Sequence, residues 1–298
     1  MNIRHLEYFV ILSDELHFRR TAERLGITQA PLSLGIQALE NELGARLFHR
    51  TKRAVSLTEA GMALLDDARA VLSRLEHGKE AVWQTVSGEV GRLRVGFTNA
   101  SSLAPFFPHL IRQYRTSWPK VSMVLSEISS SLQLEALEQR ELDVSILRLL
   151  PNAQVNSTIV CTPLLQEPLL LALHSGHPLA KAEQVSVADV RDEAFIVYAR
   201  KAGIAVSEQI LQLCAKRGFV PNVVQEVQQA STMIGLASTG LGVAIVPAPL
   251  ATIAVPGVVF RTFTDLDATT TLYVAHRFGD ANSRVRQFVN LALDIVQA

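Results

Sequence analysis

Cysteine is scarce in this 298-residue sequence: Cys161 and Cys214 stand alone, with no Cys-x-x-Cys pair and no cysteine–histidine cluster at zinc spacing. The pattern offers no structural metal site. Cys214 lies among Ile210, Leu211 and Leu213, and Cys161 adjoins Ile159 and Val160, the surroundings of buried bystanders. Long hydrophobic runs are missing as well. Leu169 to Leu173 is strand length, far short of the roughly eighteen apolar residues of a membrane span, and Met1 opens no signal-peptide pattern. The expectation is a cytoplasmic protein with no membrane partner and no cofactor. An excess of one charge sign is the third absence. The 28 Lys+Arg balance 28 Asp+Glu, which excludes a chain coated in nucleic acid along its length but leaves a local DNA-binding face open.

What is present is a soluble globular composition, 48% hydrophobic and 19% charged. The length is too great for one core and implies two or three domains. Near the N-terminus, Phe18, Ala22 and Leu25 recur at helical spacing, and Gly26-Ile27-Thr28 supplies a turn whose glycine tolerates a positive φ. Thr28 can cap a second helix, with Pro31 in its first turn, where the missing N–H costs nothing. Leu32, Ile36, Leu39 and Leu43 form its apolar stripe, opposite Gln29, Ser33, Gln37 and Glu40. Two short helices joined by a glycine turn, the second rich in amide and hydroxyl groups, make a helix-turn-helix whose second helix suits a major groove. An ordinary helical hairpin has the same outline.

The next stretch favours DNA. Leu47-Phe48 and Val55-Ser56-Leu57 bracket a basic segment as two strands bracket a wing, with Arg50, Lys52 and Arg53 at its tip facing phosphates. A long helical run then opens at Thr58-Glu59-Ala60-Gly61, with Leu64, Ala68, Val71, Leu75 and Val82 at near-heptad spacing. A lone helix would leave that stripe in water, so pairing with a second copy through Leu64, Ala68, Val71 and Leu75 is expected. The candidate DNA-binding set is Thr28, Gln29, Pro31, Ser33, Leu34, Gln37, Arg50, Lys52 and Arg53.

From Gly91 onward, strand-like runs alternate with helical stretches: Leu93 to Phe97, Val121 to Leu125, Val144 to Arg148, Leu169 to Leu173, Phe195 to Tyr198, Val223 to Val227, Gly242 to Val246 and Leu272 to Ala275. This is α/β patterning with largely buried strands. Ligands in such sheets gather at the carboxyl ends of strands. Thr98, Asn99, Ser101 and Ser102 follow one strand, Ser129, Ser130 and Ser131 a second, and Arg148 ends a third. Hydroxyls, helix N-termini and a guanidinium suit a carboxylate or another small anion. Two plainer readings stand beside this one: Ser130 with Gln133 in capping-box spacing, and Arg148 paired with a neighbouring acid. An enzyme is the competing class, but no GxSxG, P-loop, HExxH or CxxC occurs, and no catalytic residue is expected. Gly240-Leu241-Gly242 precedes its strand rather than following one, the reverse of a dinucleotide fingerprint. It reads as a helix C-cap.

Taken together, Leu6-Glu7-Tyr8-Phe9, Phe18, Ala22-Glu23-Arg24-Leu25, Thr28-Gln29, Leu32-Ser33, Ala38-Leu39-Glu40, Leu43-Gly44, Leu47-Phe48, Arg50 and Leu57-Thr58-Glu59-Ala60-Gly61 resemble the LysR-type transcriptional regulators. His177-Pro178-Leu179-Ala180 and Gly240 to Pro247 extend the likeness over the remaining chain. The resemblance implies a winged helix-turn-helix domain over residues 1–58, a linker and dimerisation helix over 59–90, and an effector-binding domain over 91–298. That last domain would hold two Rossmann-like subdomains of periplasmic-binding-protein type, 91–162 plus 267–298 and 163–266, with the chain crossing near Cys161 to Pro163 and returning near Asp265 to Ala268. By the same resemblance the effector site comprises Thr98, Asn99, Ala100, Ser101, Ser102, Ser129, Ser130, Arg148, Tyr198 and Val227. The effector would be a muconate-like or aromatic carboxylate, as in regulators of aromatic-compound catabolism. The other implied partners are a promoter with an inverted repeat, RNA polymerase and further copies of the chain as a dimer of dimers, with activation of a catabolic operon as the outcome. Relatives that sense peroxide through a disulfide keep a redox role for the two cysteines in view. The sequence departs from the family pattern at Leu34 and Gly35, where arginine and glutamine are common; Gly35 weakens the helix by about 1 kcal/mol relative to alanine and would let it approach the duplex.

Overall fold

In the computed structural model, which describes residues 1–50, 55–87, 91–150, 153–199 and 205–297, the chain divides into two units at Gly88. The first begins with α1 (Ile3–Glu15), capped by the Asn2 carboxamide oxygen, which accepts from the Arg4 N–H at 2.9 Å. Then come α2 (Phe18–Leu25) and α3 (Gln29–Leu43), separated by Gly26 at φ 65°. Thr28 has the extended backbone of a cap, yet its side chain makes no capping hydrogen bond. β1 (Phe48–Arg50) pairs antiparallel with β2 (Val55–Leu57), Arg50 lying opposite Val55. Leu6, Phe9, Leu12, Leu32, Ile36, Leu39 and Phe48 form the buried core. α4 (Glu59–Ser87) follows, its first turn held by Thr58 Oγ1, which accepts from the Gly61 N–H at 3.0 Å. At 29 residues it spans roughly 44 Å, from a rise of about 1.5 Å per residue.

The stripe on α4 divides between two tasks. Ala68 is buried and Leu64 half-buried, both packed on the core of their own unit. This corrects the expectation that they face a second copy: the α1–α2–α3 core needs a lid, and these residues are it. Val71 and Val82 remain exposed and Leu75 half-buried.

In the second unit, parallel strands β3 (Gly91–Phe97), β4 (Val121–Glu127) and β5 (Val144–Arg148) alternate with α5 (Asn99–Ser102), α6 (Phe106–Ser117) and α7 (Ser130–Glu138). β6 (Ile159–His174) then runs through both halves of the sheet without a break. Beyond it lie β7 (Gln184–Val185), β8 (Ala194–Tyr198), α8 (Ala205–Lys216), β9 (Asn222–Val227), α9 (Ala230–Ala237), β10 (Ala244–Pro247), β11 (Val258–Phe263), β12 (Thr269–Arg277) and α10 (Ser283–Gln297). Residues 159–168 of β6 pair antiparallel with β12, whereas residues 169–174 pair with β10 and β11. The change of partner falls at Pro168, later than the crossing expected at Cys161 to Pro163. The strand absorbs Pro163 at a register shift, where the ladder is already irregular and a missing N–H matters little.

Two cores result. Leu93, Val95, Ile146, Val274 and Phe288 anchor the first half; Leu171, Phe195, Ile210, Met233 and Ile245 anchor the second. Cys214 belongs to the second core, while Cys161 packs on a separate small cluster with Leu147 and Ala275. Burial pushes both thiols up to about 11, so neither is a ready thiolate at neutral pH.

Candidate functional site

The first unit presents α3 to solvent along Thr28, Gln29, Pro31, Leu34 and Gln37, all exposed, with Ser33 half-buried. Leu34 is 67% exposed, a large apolar group on the face expected from sequence to meet bases. Gly35 points the other way. A β-carbon there would come within 2.7 Å of the Tyr8 ring, so this glycine lets α3 pack against α1 and has no part in approaching a duplex. Arg50 also differs from expectation. It stands at the base of the wing, its Nη2 donating to Glu40 Oε2 at 2.7 Å, with its guanidinium 5.2 Å from the Phe18 ring centroid. The other Glu40 oxygen accepts from the Leu47 and Phe48 N–H groups at 2.9 and 3.3 Å. Glu40, expected on the DNA-facing side, instead pins β1 to α3 and takes Arg50 with it. Lys52 and Arg53 lie outside the described residues.

In the second unit a cleft of about 780 Å³ opens where strand ends from both halves meet. Thr98, Asn99, Ala100, Ser129, Ser130 and Arg148 line it from the first half, and Tyr198 and Ala199 from the second. Three expected residues do not. Ser101 is fully buried behind the wall, where its hydroxyl bonds Thr98 Oγ1 and accepts from Arg148 Nη1 at 3.2 Å. Ser102 turns back to donate to the Asn99 carbonyl at 2.7 Å. Val227 is buried in the second core, although its carbonyl accepts from the Ala199 N–H at 2.8 Å. Ser129, rather than Ser130, holds the cap position of α7. Ser130 is buried and its Oγ accepts from the Arg148 N–H at 3.3 Å, while Gln133 donates to the Ile128 carbonyl at 2.9 Å, so no capping box forms.

Arg148 is buried, and its Nη2 is ion-paired with Glu167 of β6, also buried. It is therefore a neutralised guanidinium rather than a free one, which corrects the simple anion reading. Tyr198 keeps its proton: burial pushes its phenol up to about 12, against the pull of Arg148 nearby. The first turns of α7 and α9 both reach the cleft, α9 through Ala230 and Ser231. Helix N-termini offer unpaired N–H groups to an oxygen acceptor.

Gln228 and Gln229, at the carboxyl end of β9, and Glu127, at the end of β4, escaped the sequence reading although they follow the same strand-end rule. Glu167 carried no such signal, sitting mid-strand between Gln166 and Pro168.

The sequence profile of the LysR substrate binding domain matches residues 87–297, and that of the bacterial regulatory helix-turn-helix protein, lysR family, matches residues 3–62. The chain is a LysR-type transcriptional regulator. It is a DNA-binding protein with an effector-binding domain, and not an enzyme. The HTH-type transcriptional regulator AlsR of Bacillus subtilis (strain 168) is 36% identical over 292 residues, 98% of this chain and 95% of that protein. Full-length CbnR, solved with its target DNA, superposes with a TM-score of 0.80 at 25% identity, covering 99% of this chain and 100% of that one. The BenM effector binding domain with its effector benzoate superposes with a TM-score of 0.63 at 26% identity, covering 70% of this chain and 92% of that domain. The helix-turn-helix, wing and α/β sensor expected from sequence are those of this family.

Proposed function

We propose that the chain activates an operon when a small oxygen-bearing effector enters the cleft of the second unit, and that it binds an inverted-repeat promoter in the cytoplasm as a dimer of dimers in contact with RNA polymerase. One observation carries the effector reading: residues from both halves, Asn99 and Ser130 on one side and Tyr198 and Gln229 on the other, converge on one cleft. A molecule touching both halves stabilises one arrangement of them over another, and only such differential binding can bias transcription. The muconate-like or aromatic carboxylate came from the family resemblance; the small-anion reading of the residues leaned on Arg148 as an available cation, and its pairing with Glu167 weakens that support.

On the DNA side, Gln29, Ser33 and Gln37 read base edges and Leu34 contacts a thymine methyl group. The Lys52–Arg53 segment supplies phosphate contacts, which position the domain without selecting sequence. The CbnR complex supports this reading because that relative was solved with target DNA. The test is a small-molecule screen by thermal shift on the full chain, followed by operator titration with each hit. Hits should change operator affinity and lose binding by about tenfold in Asn99→Ala and Gln229→Ala, the effect of one lost hydrogen bond to a buried ligand. A hit that alters operator binding but keeps its affinity in both variants would place the effector elsewhere.

A further inference from the structure

The cleft contains, among its described lining residues, one positive charge and one negative charge: Arg148 and Glu127. Arg148 is spoken for. One terminal nitrogen is ion-paired with Glu167, and the other donates to Thr98 Oγ1 and Ser101 Oγ at 3.3 and 3.2 Å. The side chains of Arg148 and Glu167 are 4% and 8% exposed, so water does little to screen the pair. Glu167 does not line the cleft. It lies on β6 opposite Thr270 of β12, in the strand pair that joins the two halves. A carboxylate entering beside Arg148 would meet a guanidinium already balanced within the fold and would bring a second buried negative charge, with Glu127 exposed at the same cleft adding a third. Desolvating an anion without a matching cation is strongly unfavourable. A hydroxyl, carbonyl or amide carries no such penalty. It finds the neutral Tyr198, the carboxamides of Asn99, Gln228 and Gln229, and the hydroxyls of Thr98 and Ser231.

We propose that Glu167 sets the effector class: by holding the charge of Arg148 inside the fold, it makes the cleft select an uncharged molecule bearing hydroxyl, carbonyl or amide groups over a carboxylate. This rests on the cleft being the effector site. The balance would invert on removing the glutamate charge while keeping its shape, because Arg148 would then be a buried cation seeking an anion.

Matched acid and amide probes test the proposal: acetate with acetamide, benzoate with benzamide, and cis,cis-muconate with its diamide, titrated calorimetrically at neutral pH into the unaltered full chain and into Glu167→Gln. In the unaltered chain each amide should bind at least about tenfold tighter than its acid, the ratio that about 1.4 kcal/mol produces. In Glu167→Gln at least one acid should gain about tenfold or more, and the gain should vanish in Glu167→Gln combined with Arg148→Gln. An acid that equals or beats its amide in the unaltered chain overturns the proposal, and that comparison needs no variant to fold. So does a folded Glu167→Gln that gains nothing for any acid. A gain that survives loss of Arg148 overturns it too, by locating the cation elsewhere. The failure of the cleft itself reads differently: probes would bind with the acid–amide ratios above yet be indifferent to Asn99→Ala and Gln229→Ala.

Discussion

The two units each tie an arginine to a glutamate, and the surroundings of the two pairs differ. In the helix-turn-helix unit, Arg50 meets Glu40 with 33% of its side chain exposed, against the face of Phe18. In the sensor, Arg148 meets Glu167 with both partners nearly dry. Water screens the first pair, so its worth is small and its removal mild. The second gains more from pairing but has lost hydration on both ions, and breaking it leaves an uncompensated charge in the interior. The same residue types thus sit differently: Arg50 braces a strand against a helix at the surface, and Arg148 is held by Glu167 inside the sensor.

The largest effect should follow from Glu167→Ala, which strands the Arg148 guanidinium and should lower unfolding free energy by about 3–5 kcal/mol. Urea denaturation measures it, and a loss below about 1 kcal/mol would put Arg148 in contact with water. Next comes Gly35→Val. Its β-carbon would press into the Tyr8 ring, 2.7 Å away, at an overpacking cost of about 1–3 kcal/mol. Thermal melting of the full chain should show the helix-turn-helix unit destabilised, with the sensor transition unmoved. Smaller still is Arg50→Ala. A partly exposed pair and one cation–π contact together amount to about 1 kcal/mol. A double-mutant cycle with Glu40→Gln should recover most of it. If Arg50→Ala leaves stability untouched but weakens binding to every duplex, Arg50 is a phosphate contact after all and the contrast between the two pairs loses one side.

These contrasts also mark where sequence reasoning stops. Periodicity exposed α2, α3 and the apolar side of α4, and strand-length runs marked most of the sensor strands. Such patterns repeat locally, so one residue informs the next. β7 and β11 were not apparent, being short or only partly buried. Hydroxyl-rich strand ends indicated the cleft from residues 98–100, 129–130 and 148, because polar groups stand out after apolar strands. Facing was not legible. Whether Gly35 meets a duplex or Tyr8, and whether Ala68 meets a second copy or its own core, depends on neighbours distant in sequence. The partners of the two arginines were hidden for the same reason: Glu40 meets Arg50 from the last turn of α3, across the turn at Gly44, and Glu167 reaches Arg148 from another strand.

The account rests on specific DNA recognition by α3, and footprinting of the full chain on genomic fragments selected by binding at low salt tests it most directly. It predicts protection of an inverted repeat, an affinity that falls steeply as salt rises because phosphate contacts release counterions, and a changed sequence preference in Gln29→Ala or Leu34→Ala with the salt slope kept. Fragments bound without a shared repeat, or a sequence preference indifferent to both substitutions, would contradict it.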